Sequence, residues 1–276
     1  MSKKVAYFGP PGTYTEEAAL RYDAEAELLP FTTISAVASA VEAGMAEEGV
    51  VPIENSIEGS VSATLDLLIH ESKLVIRREL VLPIESYLLA KVGTQVGDVK
   101  VIFSHPQPLG QCRRFLDRCF PKADVVAALS TSAAVEDMLA CDKPAAAIGT
   151  KRAAALYGAS ILAHNIQDQA TNETRFVVLA QTHEAPTGCD KTSLCFALAA
   201  DRPGALCQVL LEFADRNINL AKIESRPSKE SLGRYIFLVD LEGHQQEPII
   251  AEALAGVRAK VALFKVFGSY PRYNGK

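Results

Sequence analysis

The chain has 276 residues, with 49% hydrophobic and 22% charged side chains, a balance typical of a globular protein with one large or two smaller domains. Its formal net charge is −5, so no overall basic field attracts nucleic acid or an anionic membrane surface. The first residues, MSKKVAYFG, lack the apolar segment of a signal peptide, and no apolar run approaches the length of a membrane span. We therefore expect a cytoplasmic protein without nucleic-acid or membrane partners.

Residues 1–181 alternate between short apolar runs and helical patterns. Strands are predicted at Val5–Phe8, Leu28–Phe31, Val50–Ile53, Val99–Ser104, Val125–Leu129, Ala145–Ile148 and Phe176–Ala180, with one long or two broken strands in Arg77–Val92. Helices are predicted at Thr13–Tyr22, Ser35–Ala46, Gly110–Cys119, Ala133–Leu139 and Lys151–Tyr157, and a further helix opens at Ser60 or Ser62. This alternation predicts an α/β fold with parallel sheets.

The six cysteines and five histidines do not form metal-binding or redox motifs. No two cysteines have CxxC spacing, and the histidines are isolated in the sequence, whereas zinc sites use closely spaced ligand pairs. The loop Gly9–Thr15 lacks both the dinucleotide fingerprint and the P-loop pattern. We expect reduced thiols, no metal and no cofactor.

Polar sequences occupy four joints between a strand and the following helix: GPPGTYT, IENS, SHPQ and STS. Ligands of open α/β sheets bind beyond the carboxyl ends of strands, so these joints, with Gln111 shortly after SHPQ, supply the candidate site residues Asn55, Ser104, Gln111, Ser130 and Thr131. Simpler roles remain open for each joint. Ser130 is also a good helix cap, and IENS is also an ordinary turn. For His105 a structural role is favoured over that of a general base.

The segment Asn172–Phe176 places a polar cluster directly before an apolar strand. Arg175 is a fixed cation that can hold a carboxylate through two hydrogen bonds. Thr174 carries a hydroxyl that can donate to a substrate oxygen. Taken alone, the segment is better explained by a surface salt bridge at the start of the strand.

A polar stretch at residues 182–191, rich in proline and glycine, predicts a linker between residues 1–181 and a second domain at residues 192–276. In that domain, strands are predicted at Thr192–Ala200, Ile218–Arg226, Arg234–Leu241 and Val261–Gly268, and helices at Asp201–Arg216 and Glu247–Gly256. The order βαββαβ is that of the ferredoxin-like unit.

Two segments of this domain are candidates for ligand binding. Gly204, Ala205, Leu206 and Cys207 begin a helix, where small residues permit a close approach of a ligand. Glu224, Ser225, Arg226 and Pro227 end a strand, and their charges could serve the ammonium and carboxylate of an amino acid. A packed edge with a salt bridge remains the alternative.

Taken together, these segments resemble the prephenate dehydratase family. The resemblance is carried by GPPGTYTEEAA, VPIENSIEGSV, SHPQPLGQC, STSAAV, AAIG and NETRF, and then by GALC and ESRP. It covers nearly the whole chain, and the TRF and ESRP motifs are the most diagnostic. Cys207 departs from the valine that is common in the family, which concerns the tuning of the effector site.

The resemblance implies an α/β catalytic region of two lobes, similar to a type 2 periplasmic binding protein, followed by an ACT domain. The active site would lie in the cleft between the lobes, and L-phenylalanine would bind the ACT domain at a subunit interface and inhibit. Family members are homodimers or homotetramers. Because strand signals begin at Val5, we expect the form without a fused chorismate mutase domain.

The resemblance also implies roles for the candidate residues. Thr174 would donate a hydrogen bond to the departing hydroxyl of prephenate, and Arg175 would hold a carboxylate. The helix start at Ser130 and Thr131 would receive the other anionic end, with Asn55, Ser104 and Gln111 completing the polar wall. Effector binding would fall to the two segments at 204–207 and 224–227.

Three other functions remain under consideration. Arogenate, the amino analogue of prephenate, could be the preferred substrate. A non-catalytic, amino-acid-responsive binding protein would use the same two-lobed fold, although it would not need the hydroxyl of Thr174. A dehydrogenase is disfavoured by the missing glycine fingerprint.

Overall fold

The computed structural model describes residues 2–229 and 233–274. In chain order the strands are β1 (Lys4–Phe8), β2 (Glu27–Phe31), β3 (Glu48–Asn55), β4 (Gly59–Ser60), β5 (Val75–Pro83), β6 (Tyr87–Ala90), β7 (Val101–Ser104), β8 (Asp124–Ala127), β9 (Ala145–Gly149), β10 (Ser160–Ala163), β11 (Glu173–Ala180), β12 (Asp190–Leu198), β13 (Leu220–Pro227), β14 (Tyr235–Glu242) and β15 (Val261–Pro271). The helices are α1 (Tyr14–Tyr22), α2 (Ile34–Glu42), α3 (Ser62–Asp66), α4 (Pro106–Gln111), α5 (Arg113–Cys119), α6 (Thr131–Ala140), α7 (Lys151–Tyr157), α8 (Ala205–Ala214) and α9 (Pro248–Arg258). A π-helical turn, Leu67–Glu71, extends α3.

Several helices start where the sequence supplies an N-cap. The hydroxyls of Thr13, Thr33, Ser130 and Thr150 each accept a hydrogen bond from the backbone N–H three residues later. Such a bond satisfies one of the donors left free at a helix start. The predicted helix Gly110–Cys119 is instead two helices, because the backbone leaves helical geometry at Cys112, between α4 and α5.

Lobe 1 is built on a mixed sheet of order β2-β1-β3-β11-β5, with β4 paired to β3. Strands β1, β2 and β3 are parallel, whereas β11 runs antiparallel to both β3 and β5. Helix α1 packs on one face, over Val5, Val50 and Phe176. The opposite face carries α2 and α3.

Lobe 2 is built on a second sheet of order β10-β6-β9-β7-β8. Its centre is β9, an entirely buried apolar strand that pairs in parallel with β7, as expected for a strand covered on both sides. The chain passes between the lobes twice, from β5 to β6 and from β10 to β11. These crossings are joined where the Ile84 N–H donates to the carbonyl of Asn172 at 2.8 Å. The predicted two-lobed organisation is thus confirmed, and the stretch Arg77–Val92 is two strands in different lobes.

The C-terminal domain, formed by β12 to β15 with α8 and α9, has the predicted βαββαβ order and a sheet of order β13-β14-β12-β15. Strand β12 begins at Asp190, inside the predicted linker. Helix α8 begins at Ala205 rather than Asp201, because Gly204 at its N-cap has a left-handed φ of 81°.

The sheet of the C-terminal domain packs directly on lobe 1, on the face that carries α2 and α3. Phe267 and the fully buried Tyr270 of β15 join the same apolar core as Ile76 and Val177 of lobe 1. The closest approach is at Gly268, where an added Cβ would lie 2.2 Å from the carbonyl oxygen of Ile76. The absence of a side chain at this glycine therefore permits the two domains to dock.

Among the residues that the structure describes, no helix combines the length and the apolar composition that are needed to cross a lipid bilayer.

Candidate active site

The sheet topology of lobe 1 brings Asn55 and Thr174 side by side. Asn55 ends β3, Thr174 lies at the start of β11, and the two strands are antiparallel with these residues in register. The carboxyl end of a parallel strand thus meets the beginning of the returning strand. Both side chains are buried, with Thr174 retaining 9% of its surface.

The amide of Asn55 organises this edge of the sheet. Its Nδ2 donates to Thr174 Oγ1 at 2.9 Å and to Asn172 Oδ1 at 2.7 Å. Its Oδ1 accepts from the N–H groups of Ile57 and Glu58, both at 3.0 Å. Because Thr174 Oγ1 accepts from Asn55, the hydroxyl hydrogen of Thr174 must point elsewhere and can serve as a donor.

Lobe 2 joins this cluster through Gln111 at the end of α4. Asn172 Nδ2 donates to Gln111 Oε1 at 3.2 Å, and Gln111 Nε2 donates to Glu58 Oε1 at 3.3 Å. We call Asn55, Gln111, Asn172 and Thr174 the cleft cluster. It is a set of uncharged side chains that bridges the two lobes beside the chain crossings.

A cavity of about 400 Å³ lies between the two lobes beside the cleft cluster, whose members Asn55 and Thr174 are joined to its wall through Asn172. Gln111 and Asn172 line it, together with Glu58 of lobe 1 and the exposed Arg114 of α5. Volumes of this size accommodate small organic ligands. The described site thus has a ligand-sized space whose wall carries amide donors, one cation and the two carboxylates of Glu58 and Asp168.

Three other predicted site residues lie at the carboxyl ends of lobe 2 strands, but two of their hydroxyls serve the fold. Ser104 ends β7, is fully buried and donates to the carbonyl of Ile148 at 2.9 Å. Ser130 caps α6 by accepting from the Ala133 N–H at 2.9 Å. Thr131 is the first residue of α6 and is partly exposed. His105 likewise accepts from the Gln107 N–H as the cap of α4, the structural role favoured for it.

The loop after β1 crosses from lobe 1 to lobe 2. Ser132 Oγ donates to the Pro11 carbonyl at 2.6 Å, and Thr150 Oγ1 donates to the Gly12 carbonyl at 2.7 Å. A Cβ at Gly12 would lie 2.9 Å from Ser132 Oγ, and its φ of 85° also favours glycine. The GPPG segment therefore joins the two lobes at the helix starts of lobe 2.

Thr174 and Arg175 lie on opposite faces of β11. Thr174 shares the face of Phe176, whereas Arg175 shares that of Val177, which packs towards α2 and the C-terminal domain. Neighbouring residues in a strand alternate between faces. This placement contradicts the prediction that both residues face the same groove.

The guanidinium of Arg175 is surrounded by three carboxylates. It lies 3.0 Å from Glu54, 3.3 Å from Glu79 and 2.8 Å from Asp240 of the C-terminal domain. Burial alone would lower the pKa of Arg175, but the field of Asp240 and the other acids outweighs it and raises the pKa. Both terminal nitrogens of Arg175 are thus engaged by protein carboxylates, whereas its buried Nε has no hydrogen-bond partner among the described residues.

The thiol beside the cleft cluster is not a nucleophile at neutral pH. Cys112 follows Gln111 directly and is completely buried. Burial raises the pKa of the Cys112 thiol to about 11, and the reactive form of cysteine is the thiolate. The chemistry available at this edge is therefore hydrogen bonding by amides and a hydroxyl.

The two predicted effector segments are placed differently. Ala205 lines a cavity of about 450 Å³ beside the start of α8, where Gly204 is the N-cap, Leu206 packs into the domain core and Cys207 is exposed. Ser225 and Pro227 are exposed on β13. Glu224 and Arg226 point to lobe 1 instead, where they contact Ser60 and Asp66 respectively. An effector role for these two side chains would require those contacts to open.

Asn172 is the member of the cleft cluster that sequence reasoning missed as a site residue. It is only 2% exposed and uses both ends of its amide. The signal was present, since Asn172 precedes Thr174 by two residues, which is the repeat of one face of a strand.

Comparison with known proteins agrees with this architecture. A bifunctional chorismate mutase/prephenate dehydratase from Aquifex aeolicus is 44% identical over 270 residues, covering 98% of this chain and 74% of the relative. A prephenate dehydratase from Amycolatopsis methanolica is 40% identical, with 99% of this chain and 90% of the relative covered. The crystal structure of a prephenate dehydratase from Arthrobacter aurescens in complex with L-Phe superposes with a TM-score of 0.91 at 38% identity, covering 99% of this chain and 91% of that one.

Two family models account for the domains. The ACT domain model matches residues 193–259, which lie within the C-terminal domain. The prephenate dehydratase model matches residues 5–184, which comprise both lobes and the cleft cluster. The chain belongs to the prephenate dehydratase family.

Proposed function

We propose that this protein converts prephenate into phenylpyruvate by decarboxylative dehydration, as a step of L-phenylalanine biosynthesis under feedback control by L-phenylalanine. The observation that carries the proposal is the hydrogen bond from Asn55 to Thr174 in a chain of this family. The pair is joined through Asn172 to the wall of the cavity between the lobes, and we place the substrate in this cavity with its leaving hydroxyl directed towards Thr174.

The reaction needs little from the protein beyond orientation and help for the leaving group. Prephenate loses one carboxylate as carbon dioxide, and its ring hydroxyl takes up one proton from solvent to leave as water. The formation of an aromatic ring drives both losses. The Thr174 hydroxyl would donate a hydrogen bond to the departing oxygen. Asn55 supports this by donating to Thr174 Oγ1, which polarises the O–H bond and directs its hydrogen away from Asn55.

The uncharged character of the cleft cluster suits this reaction. A cation bound tightly to the leaving carboxylate would stabilise the substrate more than the transition state. Amide and hydroxyl donors orient a carboxylate with less stabilisation of its charge. We assign the overall attraction of the dianion to the helix start at Ser130 and Thr131 and to Arg114, in place of Arg175. Arg114 shares the cavity wall with the carboxylates of Glu58 and Asp168, whose repulsion this attraction has to outweigh.

Regulation would involve the C-terminal domain. The relative from Arthrobacter aurescens was crystallised with L-Phe, and this chain has a cavity of about 450 Å³ at the start of α8. We propose that L-phenylalanine binds here, with a second subunit completing the site in a homodimer or homotetramer.

The decisive test compares Thr174→Val with Thr174→Ser in an assay of phenylpyruvate formation from prephenate. Valine keeps the shape but removes the hydroxyl, so we expect kcat to fall by about 10²–10⁴-fold, the usual range for general acid assistance. Serine keeps the donor and should retain most of the activity. A folded Thr174→Val enzyme with near wild-type kcat would refute the role of Thr174. Parallel kinetics with arogenate would decide between the keto and amino substrates.

A further inference from the structure

We propose that Asp240 of the C-terminal domain is a positioning residue for Thr174, acting through Arg175 on the strand that both residues share. The inference rests on the proposed function, because it takes Thr174 as the residue that acts on the substrate. It gives a role to a partly buried set of charges that the reaction itself does not use. We call this set the interdomain cluster: Glu54, Glu79, Arg175, Lys191, Lys222 and Asp240.

The contact between Asp240 and Arg175 is short, buried and rigidly supported. Arg175 Nη1 lies 2.8 Å from Asp240 Oδ2, and each side chain exposes only 11% of its surface. The other oxygen of Asp240 accepts from Ser193 Oγ at 2.6 Å, and Ser193 is bonded in turn to the buried hydroxyl of Tyr270. The carboxylate of Asp240 is therefore held in a fixed position within the sheet of the C-terminal domain and moves with that sheet.

A second contact holds the other member of the hydrogen-bonded pair in the cleft. Glu54 precedes Asn55 on β3, and its carboxylate lies 2.9 Å from Lys222 of β13. Lys222 also bonds to Ser60 at 2.8 Å and lies 3.2 Å from Glu224. Thr174 and Asn55 thus each have a chain neighbour on the opposite face that is held by the C-terminal domain.

The electrostatics make this linkage sensitive to small movements. Glu79 accepts from Lys191 through both oxygens at 2.9 Å and lies 3.3 Å from Arg175. The six members of the interdomain cluster carry three positive and three negative charges, so the charges compensate each other only while the two domains remain in register. Removing a partner from a buried ion pair is costly. A shift of β14 would therefore displace Arg175, and the backbone of β11 would transmit this displacement to Thr174.

The geometry also explains how the binding of an effector to the C-terminal domain could change the cleft through only a few contacts. Glu224 lies on the predicted effector strand and contacts Lys222, which contacts Glu54 beside Asn55. The route is a chain of direct contacts between charged groups. An effector that shifts β13 or β14 would alter the Asn55–Thr174 pair through Glu54 and Arg175.

The test uses Asp240→Asn in the full-length protein, with Lys265→Gln as the matched control. Lys265 also joins the C-terminal domain to lobe 1, donating to the Ser72 carbonyl at 2.7 Å, but it makes no contact with the interdomain cluster. For Asp240→Asn we expect kcat to fall about three- to tenfold with KM unchanged, and inhibition by L-phenylalanine to weaken about fivefold or more. Lys265→Gln should leave both quantities near wild type.

Two kinetic outcomes would overturn the proposal. If both variants lose activity and inhibition to the same extent, Asp240 only stabilises the contact between the domains and does not position Thr174. If Asp240→Asn raises KM with kcat unchanged, Arg175 is acting as a substrate ligand. The variant Asp240→Glu, which keeps the charge but displaces the carboxylate, should fall between wild type and Asp240→Asn, and it replaces Asp240→Asn if that variant does not fold.

Hydrogen exchange separates failure of this inference from failure of the proposed function. The amides of residues 173–175 should exchange faster in Asp240→Asn than in Lys265→Gln, whatever reaction the enzyme performs. If wild-type protein makes no phenylpyruvate, the proposed function fails, but this difference would still show that Asp240 holds the start of β11. Equal exchange at these amides would refute the positioning role even in an active enzyme.

Discussion

The two faces of β11 carry polar clusters of opposite character. On one face, the cleft cluster consists of three amides and a hydroxyl beside a cavity of about 400 Å³. On the other, the interdomain cluster consists of six charged side chains paired at 2.8–3.3 Å. The two sets are one residue apart in the chain, at Thr174 and Arg175.

The difference shows how one strand can use one face for a ligand site and the other face to hold a neighbouring domain. Each charge of the interdomain cluster has a partner of opposite sign within the cluster, although Arg175 Nε is buried without a hydrogen-bond acceptor among the described residues. The cleft cluster has a hydroxyl hydrogen that is directed away from its amide partner. A charged residue beside a candidate catalytic residue is therefore not by itself evidence of substrate contact, since its partners decide what it binds.

The largest expected effect is a difference in stability between variants on the two faces of β11. Glu79→Gln removes the negative charge that compensates Arg175 and Lys191. Loss of one partner of a buried ion pair costs about 3–5 kcal/mol, so we expect that loss in the free energy of unfolding. Thr174→Val removes a neutral hydrogen bond and should cost about 1 kcal/mol, although it should reduce activity far more.

Urea unfolding of both variants measures this contrast, because guanidinium chloride would screen the charges being compared. If Glu79→Gln proved as stable as wild type, the interdomain cluster would not have the anchoring role that distinguishes it from the cleft cluster. The same would follow if Thr174→Val were the more destabilised of the two.

The next effect concerns the docking of the C-terminal domain. Gly268→Ala would place a methyl group 2.2 Å from the carbonyl oxygen and 2.9 Å from the amide nitrogen of Ile76. These are backbone atoms, so the domains must move apart, at a cost of about 1–3 kcal/mol. We expect faster proteolysis between residues 181 and 189. Gly97→Ala, where an added Cβ meets nothing within 4 Å, is the control that should behave as wild type.

Periodicity and loop polarity predict much of the fold. The alternation of apolar runs and helices indicates both lobes, and the βαββαβ order of the C-terminal domain is confirmed. Strand β10 was missed because it has four residues and no fully buried position. The boundary inside Arg77–Val92 could be located only once the two sheets were known.

The candidate site was predicted in part, for a physical reason. Asn55 and Thr174 come together because they are paired at adjoining ends of β3 and β11, and Gln111 joins them through Asn172 from the end of α4. The polar joints after the strands indicate this edge in the sequence. The prediction that Arg175 faces the same groove as Thr174 is wrong, because adjacent residues of a strand such as β11 point to opposite faces. The partners of Arg175 come from three strands in two domains, and such long-range pairings leave no local signal.

The smallest effect tests whether the neutrality of the cleft cluster matters. Asn172→Ala removes the hydrogen bonds to Asn55 and Gln111, and we expect kcat/KM to fall about tenfold, the equivalent of about 1.4 kcal/mol. Asn172→Asp keeps the acceptor for Asn55 but adds a negative charge where a dianion would bind. At neutral pH it should therefore be less active than Asn172→Ala.

The pH dependence of this pair gives the sharper measurement. Burial penalises the charged form of a carboxyl group, so the introduced aspartate should have a pKa above the ordinary value of about 3.9. Below that pKa the neutral acid can donate to Gln111 as the amide does. The ratio of Asn172→Asp to Asn172→Ala activity should therefore rise as the pH falls from about 8 to about 5, the range in which a raised carboxyl pKa would lie. A ratio that stays constant with pH would mean that charge at this position is not felt by the substrate, and the contrast between the two faces of β11 would then be one of packing alone.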